Sequence, residues 1–148
     1  MAGVDYWEAQ FIQRFIVADK QERYLSLLKG RKRRAKFLDE LNHNLAYDKT
    51  KARILEEKYK EPENLLSLLA SMQLGATCYL VADSNSVDRK ELTIELAVPE
   101  LLNNHFGALM ICPPKPVVLY KEEDIGDLIL LADACSPPTQ FESSTSKV

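Results

Sequence analysis

A chain of 148 residues with 46% apolar and 28% charged side chains lies near the globular average, long enough for one domain with a real core and too apolar for intrinsic disorder. Its net charge of −3 conceals a division: residues 1–60 carry fourteen Lys/Arg against nine Asp/Glu, and residues 61–148 carry five against thirteen. No apolar run approaches the ~18–20 residues that cross a bilayer, so a membrane-spanning helix is not expected.

Met1–Glu8 reaches acidic residues at once, without a basic-then-apolar signal pattern, and Gly3 stands one place too late for myristoylation. A soluble cytoplasmic protein is the expectation. Three cysteines cannot all pair within one chain, and none are spaced as C-x-x-C. Cys78 and Cys112 each lie inside an apolar run and are expected to be inert core thiols.

The first half reads as helices. Trp7, Phe11, Ile12, Phe15 and Ile16 trace one apolar stripe from about Asp5 to Ala18. Asp19 is placed to cap a second helix, with Glu22 completing a capping-box pattern, and Gly30 to end it. A third helix follows over 31–44, burying Phe37, Leu38, Leu41 and Leu45 and exposing an i,i+4 pair, Lys36 with Glu40. A charged helix over 51–59 is expected next. Pro62 then opens a helix that buries Leu65, Leu66, Leu68, Leu69 and Met72 and stops at Gly75.

Beyond Gly75 the texture becomes β-like. Strands are expected at 77–82, 91–96, 106–112, 116–120 and 127–132, with a turn at 83–86 and a short helix over 99–105. Pro99 argues against running one helix through 91–105, because it would sit in the interior. The later strands are apolar on both faces, so something must cover the sheet. The expected fold is α+β, with three to five N-terminal helices packed on a C-terminal antiparallel sheet of four to five short strands. One domain over 1–134 is expected, helical in 1–74 and strand-rich in 75–134, with Phe11, Phe15, Leu38, Leu41 and Leu66 meeting the sheet. Ser, Pro and Thr dominate 135–148, which reads as a disordered tail.

The strongest local signal is Lys29-Gly30-Arg31-Lys32-Arg33-Arg34-Ala35-Lys36, six cations in eight residues across a helix–helix turn. Lys29 suits a helix C-terminus, whereas Arg31–Arg34 oppose the dipole at the next N-terminus, at ~0.3–1 kcal/mol each when unscreened. Such a cluster reads first as a solvated face or a partner of the chain's own acidic half, then as a site for an acidic protein surface, and last as one for nucleic acid. It contains no aromatic for base stacking.

His43 is placed to satisfy the last carbonyls of its helix; as a general base it would need an acid such as Asp39 one turn earlier. His105 is likewise a junction cap. The run Glu122-Glu123-Asp124 with Asp127 lacks calcium-loop spacing and reads as a solvated turn. Glu56 and Lys58 form an E-x-K fragment on an expected helix without a companion aspartate. No P-loop, G-x-G-x-x-G or G-x-S-x-G occurs, and no metal or cofactor is expected. Function is therefore expected to be non-enzymatic: an interaction or regulatory module, with a protein partner or a homodimer. The alternatives are a nucleic-acid-associated protein using Lys29–Lys36, and an enzyme without a recognisable motif in which His43 is the candidate.

Overall fold

The computed structural model describes residues 4–43, 45–83, 87–123 and 126–133, with Val4 and Arg31 described by backbone alone. The expected tail at 135–148, Cys135, Asp124 and the centre of the 83–86 turn lie outside these residues. Three helices come first, α1 (Val4–Phe15), α2 (Ala18–Leu27) and α3 (Arg31–His43). Then follow β1 (Ala52–Ile54), α4 (Pro62–Ser71), β2 (Thr77–Ala82), β3 (Glu91–Thr93), α5 (Ile94–Leu102), β4 (Ala108–Ile111), β5 (Val117–Lys121) and β6 (Leu128–Ala132). The six strands form one antiparallel sheet in the order β1-β6-β5-β4-β2-β3. The α+β class is as expected, with one strand more.

The two-faced apolarity of the strands has a direct consequence. Successive side chains of a strand point to opposite faces, and here both faces are dry. Val81, Leu109, Ile111, Val118, Tyr120, Ile129 and Leu131 pack against α1–α3, around Phe11, Ile12, Phe15, Phe37 and Leu41. Leu80, Met110, Cys112, Leu119, Leu128 and Leu130 face the other way, against α4, α5, Leu55 and Tyr59. The result is a three-layer arrangement with a core on each side of the sheet. Each fully buried Leu or Phe contributes about 1.5–3 kcal/mol of transfer free energy. Of the five residues expected against one face, Leu66 is the exception: it packs at the edge of the α4–α5 core.

Other boundaries were decided by tertiary pairing. The expected helix over 51–59 is not formed. Ala52–Ile54 instead pairs with Leu131–Ile129 at the sheet edge, and 3-10 turns over Lys49–Lys51 and Glu57–Lys60 flank it. The expected strand over 91–96 shortens to β3, and α5 begins at Ile94. Thr93 caps it by accepting from Leu96 N, and Ala97, Val98 and Leu101 form its buried face. Pro99 does sit inside this helix. An interior proline costs roughly 3 kcal/mol, a loss that burial of Val98 and Leu101 can offset. Asp19 is not a cap: α2 starts one residue earlier, after Val17, and has no side-chain cap. The Gln21 amide instead donates to Gln13 O and Ile16 O at the end of α1.

Two glycines carry conformational weight. Gly30, with φ +81°, makes the α2–α3 turn that the sequence placed there. Gly107 lets the start of β4 lie against the last turn of α3. Its N–H donates to Asn42 Oδ1 at 2.6 Å, and a Cβ there would collide with the Leu41 carbonyl oxygen.

Candidate functional site

The basic segment divides by helix geometry. In α3, Arg34 precedes Phe37, Leu38 and Leu41 by three, four and seven residues, so it continues the buried stripe inward. Lys32, Arg33 and Lys36 point elsewhere and are exposed, as are Lys29 and Gly30 in the preceding turn.

Arg34 meets a mirror-image case on α1. Glu8 precedes Phe11 and Ile12 by three and four residues and is only 1% exposed. Arg34 donates to both Glu8 oxygens, Nη1 to Oε1 at 3.1 Å and Nη2 to Oε2 at 2.8 Å. It also grips Asp88, Nε to Oδ2 at 2.9 Å and Nη2 to Oδ1 at 2.7 Å. Arg89, held at φ +63°, adds Nη2 to Glu8 Oε1 and to Asp5 Oδ1, each at 2.9 Å. Asp88 Oδ1 further accepts from Ala82 N at 3.1 Å. Burial would pull the Arg34 guanidinium down, but the hydrogen bonds it donates to Asp88 and Glu8 outweigh that and hold Arg34 well above its ordinary value. Two guanidiniums and three carboxylates thus tie α1, α3 and the end of β2 together. This is a paired network in which Arg34 is committed to carboxylates of the chain's own fold.

The four remaining described cations differ. None of the Lys29, Lys32, Arg33 or Lys36 side chains has an ion-pair or hydrogen-bond partner among the described residues. The expected Lys36–Glu40 pair is absent because Glu40 turns inward. Glu40 accepts from the Tyr24 hydroxyl at 2.8 Å and lies 3.6 Å from Arg23. Burial, with Glu40 beside it, pushes the Tyr24 hydroxyl up to about 12. The segment therefore presents four cations over two helix ends that no described residue neutralises.

Of the other candidates, His43 meets both Asp39, the acid partner considered for it, and Glu123 of the acidic loop, at the exposed surface. His43 is exposed; its Nε2 is 3.4 Å from Asp39 and its Nδ1 3.6 Å from Glu123, so it reaches acidic neighbours rather than helix carbonyls. No described cavity includes it. His105 is exposed beside Phe106. Glu122 accepts from Asp127 N within its own loop, at 2.9 Å. Glu56 is exposed at the start of the 3-10 turn carrying Lys58, so the E-x-K fragment lies on neither an α-helix nor a strand. Among the described residues no group of His, Cys, Asp and Glu could hold a metal ion. Cys78 and Cys112 are buried and free, and burial raises the Cys78 thiol to about 12 and the Cys112 thiol well above its ordinary range. No described helix is long and apolar enough to cross a membrane.

Glu8, Asp88 and Arg89 escaped the sequence reading, although Glu8 carried a signal as a carboxylate on an otherwise apolar stripe. No protein-family model, curated protein or solved structure matches the chain.

Proposed function

We propose that this protein is a non-enzymatic interaction module that engages an acidic protein surface through Lys29, Lys32, Arg33 and Lys36. One observation carries the reading: these four cations stand exposed without partners among the described residues, while their neighbour Arg34 is fully committed within the fold. A carboxylate surface gives each cation a charge-assisted contact, and Arg33 a bidentate one. A protein is favoured over a single-stranded nucleic acid because the cluster offers no aromatic on which bases could stack.

The test is affinity capture from the native host with the wild type and with a Lys29→Gln, Lys32→Gln, Arg33→Gln, Lys36→Gln variant, each with and without nuclease. A protein partner retained by the wild type, lost by the variant and indifferent to nuclease supports the reading. Capture that nuclease abolishes gives the face to nucleic acid instead. Capture unchanged in the variant ends the assignment to these residues.

A further inference from the structure

We infer that the acidic surface met by the basic turn is the α4–α5 groove of a second copy of this chain, an inference that rests on the interaction face proposed above. The outer layers of the sandwich are unlike in charge. α1–α3 and their turns carry the basic segment, whereas α4 and α5 contain three glutamates and no lysine or arginine.

Between α4 and α5 lies an open groove of about 580 Å³ whose apolar lining includes Leu66, Ala70, Leu74 and Ile94. Glu95 lines it too. Glu63 stands one turn before Ser67 on the same α4 face, and Glu91 lies in the adjoining edge strand β3. All three are exposed, and none has a Lys or Arg partner among the described residues. Leu96, next to Glu95, is 61% exposed on α5. A groove with apolar walls and carboxylates at its rim suits lysine and arginine side chains, whose methylene stems can lie along the leucines while the heads meet the glutamates.

The two surfaces cannot meet within one chain. The basic segment belongs to the α1–α3 face and reaches the Ala82 end of β2 through Arg34 and Asp88. The groove belongs to the opposite face and opens at Ala76, by the other end of β2. Complementary patches on opposite faces make a heterologous, head-to-tail contact between copies. Exposed pairs of this kind weaken as the Debye length falls from ~10 Å at 0.1 M salt to ~3 Å at 1 M.

Charge reversal tests this in the full chain. Sedimentation velocity over a concentration series at 50 mM salt compares the wild type with a Lys29→Glu, Lys32→Glu, Lys36→Glu variant and a Glu63→Lys, Glu91→Lys, Glu95→Lys variant. Melting curves check that each folds, and Gln replacements at the same positions stand in for any reversal that does not. The wild type should self-associate and revert to monomer at 1 M salt. Each reversed variant alone should associate at least tenfold more weakly, and an equimolar mixture of the two should regain association, because opposite signs again face each other. A wild type that is monomeric at every concentration, reversed variants that associate as the wild type does, or a mixture of folded variants that stays monomeric would each overturn the second copy as occupant. If a monomeric wild type still captures another acidic protein through the same lysines, only this inference fails; if it captures nothing, the interaction face fails with it.

Discussion

Replacing Arg34 by Ala should destabilise the fold far more than replacing the cations beside it. Arg34 is 12% exposed and makes four hydrogen bonds to Glu8 and Asp88. Its removal leaves Glu8, 1% exposed, with Arg89 as its remaining cation, and Asp88 without its guanidinium. Breaking a buried pair by removing one partner costs about 3–5 kcal/mol. Because Arg89 still reaches Glu8, the lower end, about 3 kcal/mol, is expected. Arg34→Lys keeps the charge but loses the planar fork that spans two carboxylates, and should fall between the wild type and Arg34→Ala. Lys32→Ala and Arg33→Ala should stay within about 0.5 kcal/mol of the wild type, as surface substitutions do. Urea unfolding checks this by shifts in midpoint at constant slope. A loss below about 1 kcal/mol for Arg34→Ala, or equal losses at Arg33 and Arg34, would refute the division of the basic segment into a buried member and a free face.

Gly107→Ala should destabilise by about 3 kcal/mol or more, above the usual overpacking range, because the new methyl meets the Leu41 carbonyl; a thermal midpoint within a degree of the wild type would contradict that contact. Leu119→Ala, at the centre of the sheet and 0% exposed, should cost about 2–5 kcal/mol in the same unfolding assay. Peptide mapping after brief thiol alkylation should find Cys78 and Cys112 unmodified in the native state and modified in urea, since burial holds both as neutral thiols. Tyr24 has a folded-state value raised to about 12 from 10.0, so its contribution is whole below pH 10 and is lost as pH rises from 10 through 12. Burial also raises Tyr47 and Tyr120, so spectrophotometric titration should show several late-ionising tyrosines, with one fewer in Tyr24→Phe; an unchanged late amplitude in that variant would contradict the assignment.

Much of the architecture could be read from local pattern because the relevant residues repeat at the period of their element. Phe11, Ile12 and Phe15 on α1, and Phe37, Leu38 and Leu41 on α3, fall on helical stripes and are buried as such. β2 and the apolar runs of β4, β5 and β6 were visible as strands apolar on both faces. What covers each face was not visible, since apolar packing is non-directional: Leu65, Leu68 and Leu69 read as a buried helix face without saying which side of the sheet they meet. β1 is only three residues long, set among charges, and exists because it pairs with β6 some 75 residues later in the chain. No local signal encodes that pairing. In the candidate site, the run of cations was plain but its sorting was not used. Arg34 and Glu8 both lie on buried stripes, and reading a charge on a stripe as one half of an inward pair would have found the network.

The central claim is that Lys29, Lys32, Arg33 and Lys36 form a face for acidic protein. It is tested most directly by fluorescence anisotropy at 150 mM salt, titrating the wild type and the four-Gln variant into a labelled Glu/Asp-rich peptide and a labelled DNA duplex. The wild type should bind the acidic peptide, and the variant should bind it at least tenfold more weakly, about 1.4 kcal/mol, with an unchanged melting temperature. Equal binding by the two proteins would contradict the claim. So would tighter binding to duplex DNA than to peptide, with a log–log salt slope that loses roughly 0.9 for each cation removed.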